Sequence, residues 1–391
     1  MNEIDELRVL HELRISPQIF ERIAAGSGSE FRLQQELRAE FPEPLVRAAM
    51  QLAELRRKGA VKFSRASEMW FDRQGLEQST PEGVARHKAK RFQGDVWDYC
   101  SGIGGDLIAV AEQGDRVVGV DQSAAACLRA QWNAEVYGVG ERVKLVCADV
   151  TTLVDRTGLV HIDPDRRPAG SRSDRPTRRV EDAAPGLPFL HQLMTEFRGG
   201  AIKLSPAANF VGKFPGAEIE LVSLNGECKE ATVWFGELGT PDLWRATVLP
   251  EGETLAGSPL DAFAEVGPLG RYLYDPDPAV VRSGLVSLLA EQRGFTRLDD
   301  AEEYLTSSAL IDTPFAHPFE VLAELPNNDR EIRRYFRETA FGQLEIKCRH
   351  IPIQAEAVRR KLDLSGKVAG VLVFARVEGK ARAVVCRRIE R

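Results

Sequence analysis

The chain has 391 residues, 43% of them hydrophobic, and a formal net charge of −6; this is room for more than one domain of about 100–200 residues, and it argues against a protein coated with positive charge for nucleic acid. No apolar run approaches the roughly 20 residues of a membrane span, and the opening MNEIDELRVLHELRIS is charged throughout, so neither a membrane segment nor a secretory signal is expected, and a cytoplasmic protein is. The six cysteines are scattered, without a CxxC pair or a histidine at ligand spacing, which predicts reduced thiols and no metal centre.

Residues 1 to about 60 carry helical spacing in FRLQQELRAEF and PLVRAAMQLAELRRKG, each bounded by Gly or Pro. Next, VKFSRASEMWF alternates as a strand or two would. At Ser79-Thr80-Pro81-Glu82, Thr80 reads as an N-cap with Pro81 at the first helical position, where its missing N–H costs nothing. From Asp95 short apolar runs alternate with helical stretches: VWDYC, LIAVAEQG, RVVGVD, AAACLRAQWNAEVYG, VKLVCAD and GLVHIDPD. That rhythm predicts βαβ units and a parallel, doubly wound Rossmann-like α/β sheet. AIKLSP adds a strand, and EIELVSLNGECKEATVWFG a hairpin-like end. Residues 165–185, rich in Arg, Pro, Gly, Ser and Asp, read as a loop at the carboxyl side of a strand, and LPEGETLAGSPL as a linker. Beyond Gly270, a helix (AVVRSGLVSLLAEQ), a second at DREIRRYFRE, and strands LEIKCRHI, GVLVFARV and ARAVVCRRI form an α+β domain. The expected division is an N-terminal helical domain (1–90), the α/β domain (91–250) and the C-terminal domain (268–391). From Asp329 to Arg391 there are 16 Lys and Arg against 8 Asp and Glu, a local excess that fits either a solvated basic surface or a phosphate-contacting module.

Three strand ends carry the chemistry. Asp98-Tyr99-Cys100-Ser101-Gly102-Ile103-Gly104-Gly105-Asp106 leaves a strand and enters a helix, and Gly102 and Gly104 permit a tight turn and close ligand approach. Asp121 ends the next strand 19 residues after Gly102, the place of the acid that accepts from ribose hydroxyls. Asp149 ends the third, suited to an adenine amino group, and Ser101, Gln122 and Val150 flank these positions. A dinucleotide fingerprint needs a third glycine where this chain has Leu107. Asp106 in the first helical turn would also repel a pyrophosphate. Asp98 is placed for the cationic amino group of a methionine moiety, so the expected cofactor is S-adenosylmethionine. After the fourth strand comes His161-Ile162-Asp163-Pro164-Asp165-Arg166-Arg167. Asp163 with Pro164 is the candidate for holding a nucleophile in line. Arg166 is the candidate substrate or phosphate contact, and His161 is expected to face the sheet packing. Lys203 borders the same cleft, either as a substrate contact or as a solvated lysine. Six arginines between 166 and 179 favour an anionic substrate.

These residues resemble class I methyltransferases, and Asp163-Pro164 resembles the [Asp/Asn]-Pro-Pro-aromatic motif of amino-directed ones. Met69-Trp70-Phe71-Asp72, Ser79-Thr80-Pro81-Glu82, the glycine loop and Trp132-Asn133-Ala134-Glu135-Val136-Tyr137-Gly138 are similar to trimethylguanosine synthases, which methylate the guanine amino group of RNA caps. That resemblance implies that Thr80 contacts the cofactor. It ends at the acceptor motif, where that family has Pro-Pro and a tryptophan and this chain has Asp165 and Arg166. Asp163-Pro164-Asp165-Arg166-Arg167, with Arg271-Tyr272-Leu273-Tyr274-Asp275-Pro276, instead resembles bacterial methyltransferases with a THUMP-like domain, whose name implies RNA binding. The resulting expectation is methylation of an RNA base nitrogen. The alternatives are a protein or small anionic substrate, or a non-catalytic RNA-binding protein on a retained scaffold.

Overall fold

Four helices begin the chain: α1 (Glu3–Arg14), α2 (Gln18–Ala25), α3 (Glu30–Glu40) and α4 (Glu43–Gly59). Ser29 caps α3 by accepting from the Arg32 N–H. α4 follows Pro42 and buries Leu45, Val46, Ala49, Leu52 and Leu55, one face at helical spacing. In this computed structural model the described residues are 3–26, 29–114, 116–153, 157–165 and 178–389. They form two compact units, Met1–Glu218 with Ala231–Pro241, and Ile219–Glu230 with Asp242–Arg391.

The first unit continues with α5 (Arg73–Gln78), α6 (Glu82–Ala89), β1 (Val96–Tyr99), α7 (Gly105–Glu112), β2 (Val117–Asp121), α8 (Ala124–Val136), β3 (Val143–Cys147), β4 (Leu159–Ile162), α9 (Leu187–Glu196) and β5 (Gly199–Leu204). Strands β3, β2, β1, β4 and β5 lie side by side in that order, all parallel. The order turns at β1, where successive crossovers run to opposite sides and leave a crevice at the strands' carboxyl ends. This is the expected Rossmann-like α/β sheet. Leu107 is fully buried, and a Cβ on Gly119 of β2 would lie 2.5 Å from its Cδ1. A dinucleotide fold removes a side chain from the helix at this contact; here it is removed from the strand.

The helices at the start share a core with α8 and the turn after β1. Leu10, Leu13, Ile19, Leu52, Trp70 and Phe71 pack with Ile103, Ala125 and Trp132. The alternation at 61–71 is not a strand: the segment runs as turns. Phe63, Met69, Trp70 and Phe71 plug into this core, and turn hydrogen bonds together with side chains, not a neighbouring strand, satisfy the backbone. Asn133, fully buried, accepts from the Trp70 N–H (2.7 Å) and donates to the Trp70 and Ile103 carbonyls (3.1 and 2.9 Å), while Arg56 Nε donates to the Met69 carbonyl at 2.9 Å.

The second unit holds β6 (Glu218–Leu224) from Ile219 onward and the start of β7 (Glu227–Gly236), whose Ala231–Gly236 stretch belongs to the first unit and runs antiparallel to β5. It also holds β8 (Trp244–Leu249), parallel to β6, and β9 (Glu253–Gly257), antiparallel to β8. β9 replaces the expected linker: Gly252 turns the chain at φ 77°, and Leu255 is buried. Then follow β10 (Tyr272–Pro276), α10 (Pro278–Arg282), α11 (Val286–Arg293), β11 (Thr296–Arg297), β12 (Leu305–Ser307), β13 (Ala316–Pro326), α12 (Asp329–Arg337), β14 (Phe341–Cys348), α13 (Ala355–Lys361), β15 (Val368–Val377) and β16 (Lys380–Arg388). The single helix expected over 279–292 is two, because Gly284 sits at φ 74° and ends the first. A seven-stranded sheet in the order β11-β12-β10-β13-β16-β15-β14 buries Phe319, Val373 and Val384 in one cluster and Phe336, Phe374 and Val385 in another. Among the described residues no helix is long and apolar enough to cross a membrane.

Asn133→Ala should leave three buried backbone groups unpaired and lower stability by about 1–3 kcal/mol or more, read as a lower denaturant midpoint; an unchanged midpoint would remove Asn133 from this role.

Candidate active site

A cavity of about 690 Å³ opens at the carboxyl ends of β1, β2, β3 and β4, within the size range of small-molecule sites. Thr80, Asp98, Ser101, Gly102, Asp121, Gln122, Asp149, Val150, Asp163 and Pro164 all line it, so the sequence-predicted residues converge on one place. Gly104 lies behind the lining. It sits at φ 87°, and a Cβ there would come within 3.2 Å of Ala130 Cβ, so its job is to let α7 approach α8. Arg166, with Arg167, Arg172 and Arg175, lies outside the described residues; Arg178 and Arg179 are exposed.

The turn after β1 is tight. Cys100 (φ 58°) and Gly102 (φ 52°) adopt left-handed backbone, a region a non-glycine residue rarely visits. This aims the Gly102 N–H at Asp121 Oδ2 (2.9 Å), while the Ser123 N–H donates to Asp121 Oδ1 (2.9 Å). Each carboxylate oxygen keeps a lone pair for a further donor, the arrangement needed to hold two neighbouring hydroxyls. Asp149 is exposed, and the Thr151 N–H and hydroxyl, donating to Oδ1 at 2.9 and 2.7 Å, hold its carboxyl below the usual range.

Beneath the cavity runs a chain of buried polar side chains. Asp98 Oδ1 meets His161 Nδ1 at 2.6 Å; His161 Nε2 meets Lys88 Nζ at 3.2 Å; Lys88 Nζ lies 2.9 Å from Asp106 Oδ1; Thr80 Oγ1 donates to Asp106 Oδ2 at 2.6 Å. Thr80, Lys88, Asp98 and His161 are each 2% exposed. Burial pushes the Asp98 carboxyl up, against the pull of His161. Burial also raises Asp106, but Lys88, His161, Lys203 and the Thr80 hydroxyl together outweigh it and hold that carboxyl well below the usual range. Two expectations change here and one is extended. Thr80 is not the N-cap of α6, since Pro81 occupies the cap and the threonine hydroxyl is engaged by Asp106. His161 faces the sheet packing as expected, its ring edge-on to Phe92, and in addition belongs to a polar chain. The charge of Asp106 is matched by Lys88 instead of standing open toward a ligand. Among the buried atoms of lining residues that have no hydrogen-bond partner are Asp98 Oδ2 and Ser101 Oγ, a pair suited to the amino-acid end of S-adenosylmethionine.

Across the cavity, Asp163 Oδ2 pairs with Lys203 Nζ at 2.6 Å, and Lys203 also donates to the Gln78 carbonyl (3.2 Å). Lys203 is 8% exposed, which excludes a solvated lysine. The Gln78 side chain donates to Asp165 Oδ1 at 3.2 Å. The N-terminal helices complete the wall: Glu6 of α1 meets Arg129 of α8 at 2.6 Å, and Asp72 lies 3.6 Å from Arg129. Sequence reading missed Lys88, Arg129, Glu6 and Gln78. For Lys88 a signal existed, because Val84, Ala85, Lys88 and Ala89 share one helical face and all are buried.

A family model described as RNA cap guanine-N2 methyltransferase matches residues 94–166, and one described as THUMP domain-like matches residues 316–388. An uncharacterised S-adenosylmethionine-dependent methyltransferase of Mycobacterium tuberculosis strain H37Rv is 34% identical over 351 residues, 85% of this chain and 94% of the relative; the protein of strain CDC 1551 gives the same figures. The crystal structure of a candidate methyltransferase from Porphyromonas gingivalis W83 matches all of both chains with a TM-score of 0.74 at 17% identity, a likeness of fold.

The two buried carboxylates should respond oppositely to amide substitution in the ligand-free protein. Asp106→Asn strands a buried ammonium and should cost about 3–5 kcal/mol. Asp98 has a raised pKa in the folded state, so its ionised form costs stability at neutral pH, and that cost vanishes below the ordinary carboxylate range. Asp98→Asn should therefore raise the melting temperature at pH 7, with the gain shrinking as the pH falls toward 4; a lower melting temperature at pH 7 would count against this account.

Proposed function

The chain belongs to the S-adenosylmethionine-dependent methyltransferases, and on that footing we propose that it methylates a base nitrogen in RNA. The observation that carries the reading is Asp163. It ends the strand next to β1, faces the cavity that holds Asp98 and Asp121, and is followed by Pro164. The match to a guanine-N2 methyltransferase model over 94–166 and the THUMP-like match over 316–388 support RNA as the substrate class.

In this reading Asp98 and Ser101 receive the amino-acid end of the cofactor, Asp121 and Gln122 the ribose, and Asp149 and Val150 the adenine, with Thr80 bordering the site. When bound, the cofactor supplies a methyl group already activated on a sulfonium sulfur. The protein's task is then positioning. Lys203 pins one oxygen of Asp163 and leaves the other to accept an N–H of the substrate amine, so that the nitrogen lone pair points along the line of transfer. The proton that the substrate nitrogen gives up on accepting the methyl group would leave by way of Asp163. Arg166 is the proposed phosphate contact. On the C-terminal sheet, α12 buries Ile332 and Phe336 and exposes Arg330, Arg333 and Arg337, a stripe able to meet a phosphate backbone.

Incubation with labelled S-adenosylmethionine and cellular RNA, protein and metabolite fractions in parallel tests the substrate. Label is expected in RNA, and label confined to protein or metabolites would refute it. Asp121→Ala should weaken cofactor binding at least tenfold, since two charge-assisted hydrogen bonds of about 1.5–3 kcal/mol each are lost. Asp163→Ala should bind cofactor normally and transfer nothing; transfer at the wild-type rate would exclude Asp163. Replacing Arg330, Arg333 and Arg337 by Glu should weaken RNA binding and flatten its salt dependence by about one log unit per lost phosphate contact, and an unchanged salt slope would exclude the stripe.

A further inference from the structure

Lys88 and His161 have no part in the transfer just described, yet both are almost wholly buried against it. A lysine ammonium has three donors and no acceptor. With Nζ 3.2 Å from His161 Nε2, that ring nitrogen must accept, which puts the imidazole proton on Nδ1. Nδ1 then donates to Asp98 Oδ1 at 2.6 Å, and Asp98 Oδ2 is the oxygen left over, buried and without a hydrogen-bond partner. The ammonium is itself held by Asp106, 2.9 Å away, whose second oxygen takes the Thr80 hydroxyl.

We infer that Lys88 and His161 are positioning residues for cofactor binding: Lys88 sets the tautomer of His161, and His161 turns Asp98 so that Oδ2 is presented to the cofactor's ammonium group. This rests on the reading above that Asp98 receives that group. Without Lys88 the ring has two other states. With its proton on Nε2 it turns a lone pair toward the Asp98 carboxylate and pushes it away. Doubly protonated, it forms a full ion pair with Asp98 and competes with the cofactor's own cation. Both states weaken the amino-acid end of the site and leave the adenosine end untouched, because Asp121 and Asp149 have separate partners.

The test compares two ligands by calorimetry: S-adenosylhomocysteine, which carries the amino-acid end, and 5′-methylthioadenosine, which lacks it. Lys88→Met alone strands Asp106 and can fail to fold, so the working variant is Lys88→Met with Asp106→Asn, which removes both buried charges. Its affinity for S-adenosylhomocysteine should fall about ten- to hundredfold, while that for 5′-methylthioadenosine stays within about twofold. Nitrogen-15 spectra of the histidine rings, with His161→Gln for assignment, should show the Nδ1–H tautomer of His161 in the wild type and its loss in the double variant. Equal losses for both ligands would reduce the chain to scaffolding and overturn the inference, as would an unchanged tautomer or unchanged S-adenosylhomocysteine binding. Asp98→Asn separates the premise from the inference: if it leaves the preference for S-adenosylhomocysteine intact, the contact at Asp98 is wrong; if it abolishes that preference and the double variant does not, only the role of Lys88 and His161 fails.

Discussion

A lysine ammonium that is 2% exposed is tolerable only where charges and acceptors surround it, because removing an unpaired charge from water costs several kcal/mol or more. Lys88 meets that condition through Asp106 and His161, and in doing so ties α6, which stands ahead of the sheet in sequence, to α7 and β4 at the switch point. The glycine turn, Asp98 and the start of α7 are therefore fixed from below by one polar chain. A hydrophobic plug could fix them as rigidly, but it would not leave Asp98 with one oxygen engaged and one available.

The carboxylates at the strand ends were legible because they are local: a strand-turn-helix sequence puts Asp98, Asp121, Asp149 and Asp163 at carboxyl ends whatever the rest of the chain does. Leu107 could be read as arguing against a dinucleotide, though not that Gly119 supplies the missing space, since that requires knowing which strand the helix covers. The polar chain was not legible. Its members lie at positions 80, 88, 98, 106 and 161, and nothing in their spacing announces contact. The misread strand at 61–71 has the same root: apolar alternation looks alike whether a sheet face or a helical core receives it, and only the side chain of Asn133, over sixty residues on, decides the matter.

The N-terminal helices matter to the site through two charge contacts rather than through their shared core alone. Arg129 lines the cavity with Glu6 and Asp72 beside it, so α1 and the segment before α5 form wall and not mere cover. Glu3 of α1 further accepts from the Ala124 N–H at 2.8 Å, a negative charge at the positive end of α8. Displacing α1 would thus remove a cavity wall and a helix cap together.

The sign of the cavity bears on both ends of the reaction. Among the described residues lining it are eight carboxylates, Glu6, Asp72, Asp98, Asp106, Asp121, Asp149, Asp163 and Asp165, against one arginine, Arg129; Lys88 and Lys203 offset part of the excess from behind. Such a site favours a sulfonium cation over a pyrophosphate, and it favours that cation over the uncharged thioether left after transfer, which helps the spent cofactor leave. The same field repels phosphate. For the proposed RNA substrate this means that a neutral base can enter to reach Asp163 while its phosphates are kept out of the cavity.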